Sequence, residues 1–382
     1  TEFILIAVPM FVFMAYMLTY AGVADELFDG LLHWAGLLKG SLAIITVVIS
    51  TIIAAMVGVV AASVDTMGIV ALPAMRKQHY DKGISLGSIC AGGSLGVLIP
   101  PSILFIVYGA VSGDSIGRLF MGGICPGLLL STLFIVYILI RSYLKPDLCP
   151  ALSKEERMIP LRQKFVSLKY MIPPIILIVV VLGSIYLGVA SITEAAGIGA
   201  LGGIVCAAAR RQFTWKNLKE ASFQTIATTA IILWIFFGAS SFASVYNAVG
   251  GAEFVENFLV GLPFGHWGVL IIIQLILIFL GMFIDPFAIV ILTVPIFVPI
   301  IVGLGFDKLW FAILFNINMQ IALMSPPFGG SLFLLKSVAP PDITLEDIYR
   351  SVLPFILLQL LGLTLCMIFP QICLWLPTIM KG

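Results

Sequence analysis

Apolar residues run along this chain in blocks of tens of positions, separated by short polar clusters, so the pattern predicts membrane-spanning helices and not the alternating strands of an outer-membrane barrel. The first span covers 3–22. After it, 25–38 reads as an amphipathic segment with Leu27, Leu31, Leu32 and Leu37 on its apolar side, a connector lying on the membrane surface. A span needs about twenty apolar residues, and the block 41–75 is far longer. Ser63, Asp65 and Thr66 interrupt it, so two short helices meeting at a polar tip are expected. Further helices are expected at 84–112, 117–140, 170–190, 195–209 and 222–249. A second long block, 266–303, again holds an acid, Asp285, and two last helices cover 309–337 and 351–377.

Composition narrows the class. Hydrophobic residues make up 61% of the 382 positions and charged ones 10%, against roughly a quarter charged in soluble domains. The 20 basic and 19 acidic side chains leave no basic excess for nucleic acid phosphates, and nucleic acid is excluded as a partner. Six scattered cysteines without a C-x-x-C pair support neither a disulfide frame nor a transition-metal site. The chain opens on Thr1-Glu2 and runs straight into an apolar helix, so a missing start is expected.

Charge orients the spans, because Lys and Arg collect on the cytoplasmic side. With both ends of 41–75 inside, Lys39, Arg76, Lys77, Lys82, seven basic residues between 141 and 169, Arg210, Arg211, Lys216, Lys219, Lys336 and Arg350 all fall inside. Only Arg118, Lys308 and Lys381 fall outside. The same sorting makes 266–303 enter and leave from the outer face, so the two hairpins point at each other.

An offset of 226 residues superposes Pro73 on Pro299, Asp81-Lys82 on Asp307-Lys308, and Pro100-Pro101 on Pro326-Pro327. Each copy has one order: long block with an acid, loop, Asp-Lys, helix, double proline, helix. Opposite orientations make this an inverted repeat with broken helices, the sequence sign of a secondary transporter. The expected fold is an all-α polytopic membrane protein, each repeat carrying a re-entrant helical hairpin and a Pro-Pro broken helix. Residues 1–40 form a scaffold span and arm, and 41–140 the first repeat. A cytoplasmic loop at 141–169, scaffold helices and a second arm at 170–265, and the second repeat at 266–377 complete the chain.

Chemistry concentrates at the breaks. Two successive prolines remove two amide donors and disfavour helix at the preceding residue, so the helix must open at Leu98-Ile99-Pro100-Pro101-Ser102 and again at Ser325-Pro326-Pro327-Phe328-Gly329. Carbonyls freed inside a bilayer need protein or a water-filled cavity, and they suit a dehydrated Na⁺. Asp65 and Asp285, as carboxylates in the two hairpins, either hold a cation with nearby hydroxyls or cap the following half-helix in a hydrated vestibule; the residues leave both open. No Arg or Lys stands in the middle of a span, so an anion would be held by half-helix N-termini, hydroxyls and bound cations. Thr193-Glu194-Ala195-Ala196-Gly197 is either a helix cap with Thr193 at its N-cap or a third ion site, and Asn316 and Asn318 are placed in the cavity. His33, His79 and His266 sit at span ends as interfacial residues.

These residues resemble the large membrane subunit of tripartite ATP-independent periplasmic (TRAP) transporters over essentially the whole chain. The likeness is carried by Ala7-Val8-Pro9-Met10-Phe11, Leu72-Pro73-Ala74-Met75, the glycine-rich approach to Pro100-Pro101-Ser102, Gly122-Gly123-Ile124-Cys125-Pro126-Gly127, Thr193-Glu194-Ala195-Ala196, and Ser325-Pro326-Pro327-Phe328-Gly329. The resemblance implies a Na⁺-driven importer in a bacterial inner membrane, working by an elevator motion. A periplasmic binding protein would deliver its organic acid, and a small four-helix membrane subunit would be its partner; no cofactor beyond Na⁺ is implied. Family sodium sites use hairpin tips and broken helices. The sodium candidates are therefore Ser63, Asp65, Thr66, Gly93, Pro100 and Ser102 in the first half, with Gly281, Asp285, Ser325, Pro326 and Gly329 in the second. Ser94, Pro101, Asn316, Asn318, Pro327 and Gly330 are the substrate-cavity candidates. Many relatives carry Ser-Gly-Ser-Ser in the first hairpin where this chain has Val57-Gly58-Val59-Val60, so hydroxyl ligands expected there are absent. Sialic acid is therefore not assumed as the substrate, and a smaller carboxylate, keto acid or sulfonate is an equal expectation. The competing readings are a symporter of the same design without a binding protein, a channel or uniporter, and a membrane enzyme. The last lacks any Ser/His, Cys/His or His-rich constellation.

Overall fold

A computed structural model describes residues 2–32, 34, 38–150, 172–261 and 263–379, and every regular element among them is helical. His33, Leu37, Lys381 and most of the expected cytoplasmic loop lie outside the described residues. A 3-10 turn leads into α1 (Ala7–Tyr20), and Gly22, in the left-handed region at φ +70°, turns the chain by 56° into α2 (Val23–Leu32). Next come α3 (Ser41–Val57), α4 (Val60–Lys77), α5 (Lys82–Ser94), α6 (Ile103–Ser112) and α7 (Ile116–Leu144). The middle of the chain holds α8 (Ile172–Tyr186), α9 (Ile192–Ala209), α10 (Trp215–Ala248) and α11 (Gly251–Val260). The last group is α12 (Gly265–Gly281), α13 (Pro286–Gly303), α14 (Lys308–Met324), α15 (Gly330–Val338), α16 (Leu345–Ile368) and α17 (Gln371–Ile379).

Five of these, α7, α9, α10, α13 and α16, are long and apolar enough to cross a membrane, and the bent α1–α2 pair makes a sixth if counted as one span. Large apolar side chains stand exposed along α10, Trp234 at 81%, as expected where lipid or another apolar surface is the solvent. At the centre, α14 is buried on all its faces and α5 on nearly all. Around them pack α3, α4, α12 and α16, while α1, α9 and α10 form a second group against the side of α3 and α13.

Three boundaries differ from the sequence expectation. The first long block breaks at Gly58-Val59 and not at Ser63, Asp65 and Thr66, which lie inside α4. Gly58 ends α3 in the left-handed region at φ +61°, which glycine adopts at no steric cost, and this outweighs three polar side chains that a helix tolerates. The tip is therefore apolar. The helix expected over 351–377 is two, because Pro370 donates no amide and pushes Phe369 out of helical geometry. The N-cap of α9 is Ser191 and not Thr193. Its hydroxyl accepts from the Glu194 amide at 3.3 Å, and the Glu194 carboxylate accepts from the Ser191 amide at 2.7 Å, a reciprocal capping box.

Repeat symmetry survives into the local structure. Asp81 and Asp307, one repeat apart, each cap their own helix, accepting from the Ile84 amide at 3.3 Å and the Trp310 amide at 2.7 Å. The far ends of α3 and α4 meet where the Tyr80 hydroxyl accepts from the Leu42 amide at 3.4 Å, so the two helices run back on each other as a hairpin. Burial pushes that hydroxyl up to about 12, so it stays neutral.

A Cβ on Gly58 would collide with the Pro101 carbonyl, whereas one on Gly113, equally left-handed at φ +74°, would meet nothing. Gly113→Ala should cost about 1–2 kcal/mol from backbone strain alone. Gly58→Ala should cost measurably more in thermal unfolding of the detergent-solubilised protein, and equal losses would show that the close approach carries no energy.

Candidate functional site

The first break follows from its two prolines. Between the 3-10 turn at Leu95–Val97 and α6 the chain is non-helical, and the Ser102 hydroxyl bridges the gap, donating to the Val97 carbonyl at 2.6 Å and accepting from the Phe105 amide at 3.4 Å. One side chain thus satisfies a freed carbonyl and an orphan amide. At the second break the Ser325 hydroxyl donates to the Ile321 carbonyl at 2.9 Å and the Ser331 hydroxyl to the Leu323 carbonyl at 2.6 Å. From α16 the Tyr349 hydroxyl donates to the Pro327 carbonyl at 2.9 Å. The Pro100–Pro101 and Pro326–Pro327 bonds are both cis.

Each hairpin tip rests on the broken helix of its own repeat. Gly58 lies against the Pro101 carbonyl; on the other side Gly281 packs on Ala322 and the Phe283 ring stands 6.2 Å from that of Phe328. Both tips and both breaks border one cavity of about 510 Å³. The first tip contributes Gly58 to Ala61, the second Asp285 to Phe287, the breaks Val97 and Gly330, and α10 closes the wall with Thr228 and Ile231. A smaller space of about 130 Å³ lies between the second tip and the second break, against Gly281, Asp285, Ala322 and Gly330.

The two acids stand differently. Asp285 is the N-cap of α13, its Oδ1 accepting from the Phe287 amide at 2.9 Å, and the residue borders both cavities. Asp65 lies in the second turn of α4, about 10 Å along the helix from Gly58 at 1.5 Å per residue. It is within electrostatic reach of the Tyr16 phenol of α1, and its Oδ1 is buried with no hydrogen-bond partner. Thr66 faces a small gap beside Thr19 and Val57, and Ser63 is buried with its hydroxyl unpartnered. Neither Ser63, Asp65 nor Thr66 borders the large cavity. The expected polar tip is absent, because α4 begins before them and turns them away.

The cavity candidates divide as well. Gly330 borders both spaces, while Pro101 borders a small apolar gap beside Met14. Pro100, Pro326, Pro327 and Gly329 form the breaks themselves, and Gly93 is the point where α5 meets Val64 of α4. Asn316 and Asn318 lie in the buried body of α14 and do not line the cavity. The Asn316 amide donates to the Ala312 carbonyl at 2.9 Å, and the Asn318 amide donates to the Gln274 carbonyl and side-chain oxygen, both at 2.9 Å, tying α14 to α12. Ser94 is likewise interior. Its hydroxyl donates to the Ala91 carbonyl at 2.8 Å and accepts from the Gln320 and Gln359 amides, each at 3.2 Å. Ser94 and Gln320 are 226 residues apart, the offset that aligns the double prolines, so two matched positions touch each other. Sequence reasoning missed Gln320 although the offset that aligned the prolines points to it. The α10 wall had no signal, since nothing in its apolar run distinguishes cavity from lipid.

Residues 1–372 match the family described as Tripartite ATP-independent periplasmic transporter, DctM component. The C4-dicarboxylate TRAP transporter large permease protein of Pseudomonas aeruginosa is 31% identical over 98% of this chain and 86% of its own length. The sialic acid TRAP large permease of Vibrio cholerae is 29% identical over 100% and 88%, and the ectoine TRAP large permease of Halomonas elongata 31% over 97% and 86%. Among solved structures, the Alcanivorax borkumensis YdaH transporter superposes with a TM-score of 0.63 at 16% identity, covering 97% of this chain and 86% of that one. Neisseria gonorrhoeae MtrF gives 0.59 at 15% identity, covering 97% and 80%. A fold of known transporters is thus joined to a family match over nearly every residue, and the chain belongs to the DctM component family, the large permeases of TRAP transporters.

Proposed function

We propose that this chain is the Na⁺-coupled permease of a three-part importer in the bacterial cytoplasmic membrane, taking a small organic acid from a periplasmic binding protein and working beside a small four-helix membrane subunit. The observation that carries the reading is the cavity of about 510 Å³ on which both hairpin tips and both breaks open. In this reading α3–α4 and α12–α13 are re-entrant hairpins, and they move with the broken helices as one elevator body against a frame that includes α1, α9 and α10.

The cavity wall limits how an anion is held. Among the described residues it is lined by Thr228, whose hydroxyl also bonds the Tyr16 hydroxyl at 2.9 Å, by Ser337, whose hydroxyl donates to the Leu334 carbonyl at 2.7 Å, and by Asp285, with no Lys, Arg or His. At the first tip Val59 supplies no side-chain cap to α4, and the first residues of that helix, Val60 and Ala61, line the cavity. A carboxylate or sulfonate is received there, with apolar walls from Val59, Ile231 and Phe333 around its body. Large permeases of this family are named for C4-dicarboxylate, sialic acid, ectoine and isethionate, and the substrate here belongs to the same range of small organic acids.

Sodium sits on the second half beside Asp285, in the smaller space between Gly281 and Gly330, where a carboxylate and the backbone oxygens of the break supply the hard ligands that Na⁺ takes. In the first half Ser102 remains a ligand at the break. Asp65, with its unpartnered buried oxygen, is the acid of that half and acts at the contact with α1, away from the tip.

Two measurements test this. Purified chain and small subunit in proteoliposomes should accumulate a radiolabelled organic anion only with an inward Na⁺ gradient and the binding protein; uptake without that protein would make the system a simple symporter, and equilibration without the gradient a uniporter. Asp285→Ala should raise the Na⁺ concentration for half-maximal uptake roughly tenfold, the loss expected for one charge-assisted contact. An unaltered Na⁺ dependence in a folded variant would remove Asp285 from the ion site.

A further inference from the structure

The Asp-Lys pair that recurs at the start of α5 and α14 has one half explained: each aspartate caps its own helix. The lysines do something else. Lys308 leaves the second repeat and reaches the loop that ends α6 in the first, where its Nζ donates to the Ser112 carbonyl at 2.7 Å and pairs with the Asp114 carboxylate at 3.0 Å. Lys82, its repeat mate 226 positions earlier, leaves the first repeat and reaches the loop that ends α15 in the second. Its Nζ pairs with the Asp347 carboxylate at 3.1 Å and lies 3.5 Å from the Asp342 carbonyl. Both lysines thus use a backbone carbonyl and a carboxylate, and both take them from the other repeat.

The loops they reach have one feature in common: each ends the half-helix that follows a double proline. α6 is held at its start by Ser102 and at its end by Lys308, while Lys82 holds the connection that leaves α15, through the Asp342 carbonyl of the loop and the Asp347 carboxylate in the first turn of α16. Arg76, from the same repeat as Lys82, adds a bidentate pair to Asp342 at 3.0 and 2.9 Å. By the charge sorting, Lys308 and Asp114 lie at the outer face, and Lys82, Arg76, Asp342 and Asp347 at the inner. Exposure separates the two ties: Asp114 is 14% exposed, Asp347 31% and Asp342 55%, so the outer tie is the drier one and the more costly to break.

We propose that Lys82 and Lys308 are positioning residues that cross-tie the repeats, Lys308 fixing the far end of α6 and Lys82 fixing the connection from α15 into α16, so that both breaks keep their shape while the hairpin body moves. The transport part of this rests on the function proposed above; the cross-tie itself does not. A half-helix freed at its far end can slide or tilt, and its near end is the wall of the cavity. A lysine on one repeat therefore governs a break on the other, which no purely local role produces.

Amide hydrogen exchange on the solubilised protein tests the tie directly. Lys308→Met should raise exchange roughly tenfold over 98–112 and leave 325–338 as in wild type, and Arg76→Met/Lys82→Met should do the reverse. In proteoliposomes Lys308→Met should lower the maximal uptake rate more than the substrate concentration for half-saturation. The swapped pair Lys308→Asp/Asp114→Lys should restore both readouts, which a merely destabilised protein would not show. Unchanged exchange over 98–112 in Lys308→Met, or exchange that rises equally in both segments, overturns the proposal. Wild-type vesicles without uptake would instead count against the proposed function, with the exchange result still deciding the tie.

Discussion

Every other feature depends on one constraint: a backbone amide or carbonyl in hydrocarbon must find a partner inside the protein, because each orphan costs several kcal/mol there. Two helices broken by paired prolines violate it on purpose. The repair is visible in detail, with the Ser102 hydroxyl spanning the first gap and the Ser325, Ser331 and Tyr349 hydroxyls serving the second. Hydroxyls suit the task because one oxygen both donates and accepts. Both breaks also border a cavity, which with burial in protein is where an irregular backbone is tolerated in a membrane.

The burial pattern follows from the same constraint. Irregular segments must be kept from lipid, so α5 and α14, which lead into the breaks, occupy the centre and are wrapped by α3, α4, α12 and α16. Some of the polar side chains carried inward bond to one another: Asn318 to Gln274, and Ser94 to Gln320 and Gln359. These contacts tie helices together, whereas the cavity wall is mostly apolar.

Much of this was legible in the sequence, and for identifiable reasons. Double prolines, the Asp-Lys caps and the long apolar blocks act through local chemistry, so the breaks, the helix starts and the repeat offset could be read directly. Ion pairs that join distant segments, Arg76–Asp342, Lys82–Asp347, Arg210–Glu26 and Lys308–Asp114, had no local signal of their own. Facing was not legible. Ser63, Asp65 and Thr66 interrupt an apolar block as a tip would, but a helix accepts polar residues wherever packing turns them, and the left-handed Gly58 decided the break. Asn316 and Asn318 look like cavity residues by proximity to the second break, and only the rotation of α14 shows that they bond within the core. The α10 wall was invisible because an apolar residue facing a cavity and one facing lipid are the same letter.

The Ser94–Gln320 pair has a consequence of another kind. Where two identical halves meet about a two-fold axis, each residue on that axis must face its own copy, so whatever side chain stands there must tolerate itself at contact distance. Joining the halves in one chain lifts that obligation. Here a short hydroxyl stands opposite a long amide, and Gln359, from outside both aligned motifs, completes the set. In two separate identical copies a single substitution there would alter both sides of the contact at once, whereas one chain sets Ser94 and Gln320 independently.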